Sequence, residues 1–205
     1  MSTEANKNAA ASLIAGIIML AIAYAVLRYN VAGPVPRTDF HFNLQNKCFS
    51  LAAFVLLACN FGFGPLRNLG VPVPESWLAA RKALGMTGFL LVLIHALMSF
   101  LLFKPAVYGS FFEADGTLTL TAGLSMLAGV LAFVVLWAYN LSFQTFLRED
   151  RAFIAFITSR RFLLVAFLFG GAHLLFMGYA GWMKPAGWHG GLPPISLVAF
   201  LACLA

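Results

Sequence analysis

Five stretches of this sequence are almost wholly apolar, and each is about as long as a bilayer core is thick. They cover roughly residues 9–29, 47–64, 83–103, 119–140 and 162–181. A helix rises ~1.5 Å per residue, so ~20 residues cross a hydrocarbon core of ~30 Å. Backbone N–H and C=O groups find no water there, which leaves the helix as the conformation for such runs. The expected fold is therefore all-α, a polytopic transmembrane helix bundle with five full spans. A sixth apolar run, 193–205, is short. It reads as a truncated span or a half-inserted segment, and its Pro193-Pro194 start is compatible with a helix N-terminus.

Composition supports this class. Of the 205 residues 61% are hydrophobic and 10% charged, against about a quarter charged in ordinary soluble domains. The net charge of +6 does not indicate a nucleic-acid surface, because most basic residues lie between the apolar runs. The polar start, MSTEANKNAAAS, holds one lysine and does not resemble a signal peptide. The run from Leu13 to Leu27 is long enough to stay in the bilayer as an anchor. With no repeat, low-complexity tract or soluble insertion, residues 1–205 read as one transmembrane domain.

Charge placement orients the chain. With the N-terminus inside, the cytoplasmic side carries Lys7, Arg67, Arg81, Lys82, Arg148, Arg151, Arg160 and Arg161, and the outer side Arg28, Arg37, Lys47, Lys104 and Lys184. Cytoplasmic loops carry the excess of Lys and Arg, so the N-terminus is expected in the cytoplasm. The outer loops hold aromatics (Phe40, Phe42, Tyr108, Phe111, Phe112, Trp182, Trp188) suited to a membrane interface.

Cys48, Cys59 and Cys203 form no CxxC or CxxCH pattern, which argues against a zinc site or covalent heme attachment. They read as small buried hydrophobes. No Asp or Glu falls within a span, which disfavours a transporter.

Two histidines do fall within spans, His95 in the third run and His173 in the fifth. An ionisable residue at membrane depth is a functional candidate by default. Lys82 precedes His95 by thirteen residues, and Arg160 precedes His173 by the same number. Both imidazoles are thus expected ~20 Å from the cytoplasmic basic ring, at one depth. A depth-matched pair of neutral imidazoles suits the two axial positions of one b-type heme. Gly85, Gly88 and Val92 precede His95 on its face, and Ala166 and Gly170 precede His173. Such small residues either leave room for a flat macrocycle or let helices pack closely. His41 and His189, in outer loops, are weaker candidates for an outer-face metal or propionate site.

The segment Arg81-Lys82-Ala83-Leu84-Gly85-Met86, through Phe89 to His95, resembles the signature of the ferric-reductase-like transmembrane family. Gly64-Pro65-Leu66-Arg67 resembles that family's P-L-R motif, and Ser159-Arg160-Arg161 to His173 its fifth helix with the distal histidine. The likeness covers about residues 45–180 and is nearest to the MsrQ/YedZ heme membrane subunits, with STEAP metalloreductases and NADPH oxidases more distant. One departure bears on stoichiometry: MsrQ-like and oxidase members carry a second histidine where this chain has Arg160. The resemblance thus implies one heme b. It also implies a bacterial inner-membrane location and a separate redox partner, since the chain has no nucleotide-binding domain. Electrons would pass from a cytoplasmic flavin (FMN or FAD) or quinol to an outer acceptor, such as ferric iron or a periplasmic methionine sulfoxide reductase. Arg81, Arg160 and Arg161 would meet a flavin phosphate, a quinone or simply lipid headgroups. The alternative is a structural or heme-bearing anchor subunit of a larger respiratory or photosynthetic complex.

Overall fold

A computed structural model describes residues 3–35, 42–147 and 149–204. Their elements are α1 (Thr3–Val26), a π-helical turn (Leu27–Val31), α2 (Phe42–Asn68), α3 (Glu75–Leu102), α4 (Leu120–Leu141), the short α5 (Arg151–Ile157), α6 (Arg160–Trp182) and α7 (Ile195–Leu204). Short 3-10 turns punctuate the connections. Among the described residues there is no strand beyond an isolated bridge between Phe112 and Leu118.

Five of these helices are long and apolar enough to cross a bilayer, the first running on through the π turn to Val31. The chain is thus an all-α, multi-pass membrane protein. The helices outrun the apolar stretches, because polar ends such as Glu75 to Lys82 continue the helix beyond the apolar part of the run. α7, with 10 residues, is ~15 Å long and does not span by itself. Large side chains left bare, among them Leu20, Leu101, Leu120 and Leu168, would be a liability in water and are what lipid covers.

The chain forms two compact units, Met1–Leu102 with Lys184–Ala205, and Phe103–Met183. In the first, α2 and α3 form an antiparallel pair, α1 packs on both, and α7 packs on α2. The turn between α2 and α3 is a Schellman motif. Val71 N donates to Leu66 O (3.0 Å), Gly70 N donates to Arg67 O (3.0 Å), and Gly70 takes φ +86°, a conformation that glycine alone adopts freely. An ion pair between Arg67 and Glu75 bridges the same turn. In the second unit α4 packs on α6. Its helices start on side-chain caps: Thr119 accepts from Ala122 N (3.2 Å), Asp150 from Phe153 N (2.9 Å) and Ser159 from Phe162 N (3.3 Å).

Candidate functional site

Each span histidine sits on the second helix of one of these pairs. On α3, His95 Nδ1 lies 2.7 Å from Asn46 Oδ1 of α2. Asn46 is buried, and its amide Nδ2 donates to Ser99 Oγ at 2.9 Å. With the amide nitrogen on Ser99, the amide oxygen faces the imidazole. An amide oxygen only accepts, so His95 donates from Nδ1.

On α6, His173 Nδ1 lies 2.8 Å from the backbone carbonyl of Ser125 on α4. A carbonyl can only accept, so this imidazole also donates from Nδ1. Ser125 is buried. Its Oγ donates to the His173 carbonyl (3.0 Å) and lies 3.1 Å from Nδ1. One turn further along α4, a Cβ at Gly129 would come within 2.9 Å of His173 Nδ1. α4 can pass this close to the ring only because position 129 lacks a side chain.

The two units thus repeat one arrangement: an imidazole whose Nδ1 donates to an oxygen on the partner helix. This is the form in which histidine binds a transition metal through Nε2, the outer hydrogen bond fixing ring orientation and raising basicity. Asn46, Ser99, Ser125 and Gly129 went unnoticed in the sequence. The available signal was polarity within or at the edge of apolar runs, with Gly129 four residues after Ser125.

The small residues before His95 serve helix packing. A Cβ at Gly85 would meet Asn60 Nδ2 at 2.8 Å, and one at Gly88 would meet Leu57 Cγ at 2.9 Å. They are points where α3 closes on α2. Ala166 and Gly170 are buried on α6.

Arg81 is also absorbed by the α2–α3 pair. Its Nε donates to Asn60 O at 2.7 Å, and its Nη1 lies 3.2 Å from where a Gly64 Cβ would be. Arg160 and Arg161 are exposed in the first turn of α6. His189 lies in a 3-10 turn, its ring edge-on to Tyr29 with centroids 6.3 Å apart. His41 falls outside the described residues. Among the described residues, no group of three or more His, Cys, Asp or Glu side chains could hold a bare metal ion. No protein-family model matches the sequence, and no curated protein matches it.

Proposed function

We propose that this chain is a b-type heme membrane protein of the ferric-reductase-like kind, carrying single electrons from a cytoplasmic-side donor to an outer-face acceptor. The observation that supports it most is that His95 and His173 each donate from Nδ1 to an oxygen on the partner helix. A metal ion held by protein side chains alone wants three or four of them. A heme would ask the protein for two side-chain ligands, and His95 and His173 are the span histidines that would supply them. Arg160, where related heme subunits carry an inner histidine, supports a single heme.

Bound heme supplies a one-electron couple. The chain's own residues do the rest. His95 and His173 would hold the heme through Nε2, Asn46 and Ser125 would keep both rings turned, and the apolar spans would exclude water and so influence the potential. Exposed Arg160 and Arg161 are the better candidates for the phosphate of a flavin donor, because Arg81 is engaged at Asn60. A quinol is the other donor class. A separate protein supplies the electrons.

The test is electron transfer across proteoliposomes, with ferricyanide trapped inside and reduced flavin or quinol outside. Wild-type protein should reduce the trapped acceptor well above the leak of empty vesicles, and His95→Ala and His173→Ala should not. A wild-type rate equal to the leak would sink the proposal.

A further inference from the structure

At the end of the first unit where α1 stops and α2 begins, two cations flank one aromatic ring. Arg28 Cζ lies 5.1 Å from the Tyr29 ring centroid and Lys47 Nζ lies 4.4 Å from it. Arg28 is 5% exposed. Its Nη1 donates to Leu192 O at 2.9 Å, while its buried Nε has no hydrogen-bond partner. A buried guanidinium with an unmet donor is costly, and a second cation beside it adds repulsion.

Within this unit no described carboxylate offsets this charge. Glu75, the one acid of this unit whose side chain is described, pairs with Arg67 at the far end of α2. The π turn of Leu27–Val31 contributes to the arrangement: it buries both Arg28 and Asn30 on a short segment, and such turns often mark functional sites. Beside the cations is a cavity of about 50 Å³, lined by Tyr29, Val35, Asn43, Leu44 and Lys47. That is space for about four water-sized groups.

We infer that this end of the unit binds a phosphate group, with Lys47 and Arg28 supplying the charge. Guanidinium and ammonium groups are recurrent protein partners of phosphate. The end of an apolar span lies at headgroup depth, so the phosphate is that of an anionic lipid or free phosphate. The inference is independent of heme binding.

The experiment uses full-length protein, delipidated in detergent. Native mass spectrometry reads retention of phosphatidylglycerol against phosphatidylcholine, and a melting curve with inorganic phosphate against chloride at equal ionic strength reads the free anion. Either preference supports the site, the first for a headgroup and the second for the free ion. Lys47→Met should weaken the preference about fivefold, as expected for one basic charge at a membrane surface. Lys104→Met, in the other unit, should leave it unchanged. The inference fails if wild type shows neither preference, or if Lys47→Met keeps it whole.

Discussion

Asn46 on α2 holds His95 on α3 through an oxygen 2.7 Å from the ring nitrogen, and Ser99, one turn beyond His95, holds Asn46 in turn. The histidine is thereby tied to the packing of the helix pair. A shift of α2 against α3 would turn the ring.

Asn46→Leu keeps the branched shape and removes the acceptor. On the proposed heme, a less basic His95 would stabilise ferric iron less, so the midpoint potential should rise and heme affinity fall about tenfold. Ser99→Ala should move both in the same direction by less. Redox titration and heme retention on dilution read the two effects, and unchanged values in Asn46→Leu would contradict the assigned role.

Gly129→Ala places a methyl 2.9 Å from His173 Nδ1. Overpacking of this kind costs about 1–3 kcal/mol, and the displaced ring should release heme. Gly123→Ala, on the same helix with nothing within 4 Å, is the matched control and should melt and bind heme as wild type does.

Gly85→Ala and Gly88→Ala should each separate α2 from α3, at about 1–3 kcal/mol. Gly62→Ala, which meets nothing within 4 Å, should not. Thermal melting in detergent distinguishes these from Gly70→Ala, which loses about 1 kcal/mol by forcing a positive φ on alanine.

Asp115 orders the loop before α4. Its carboxylate accepts from Thr117 N (2.9 Å) and Thr117 Oγ1 (2.7 Å), and these bonds hold its pKa below the ordinary 3.8. A lowered folded-state pKa means the contribution is present above the unfolded value and is lost as pH falls through the lowered one. Amide exchange at Thr117 should therefore accelerate relative to its neighbours only under strong acid. In Asp115→Asn it should be fast at every pH.

The helical class and the five spans were legible because apolar length is a one-dimensional property, written directly in runs such as that around His95. His95 and His173 stood out for the same reason, as ionisable residues against an apolar background. Their partners did not. In the sequence Asn46 stands at the polar edge of a run and Ser125 is one small residue among several. Their roles depend on which helix pairs with which, and that is fixed by side-chain packing rather than by periodicity. Gly85 and Gly88 show the same limit: room for a ring and room for a neighbouring helix have the same sequence signature, and only the position of Asn60 and Leu57 separates them. The π turn that buries Arg28 has no sequence signal of its own, since Leu27–Val31 reads as the frayed end of a span.

Heme content and spin state in purified wild type, His95→Ala and His173→Ala test the central claim most directly. Wild type should hold about one heme b per chain, low-spin and six-coordinate, and each variant should lose it or turn high-spin. Wild type without heme, or an unchanged low-spin heme in both variants, would contradict the account.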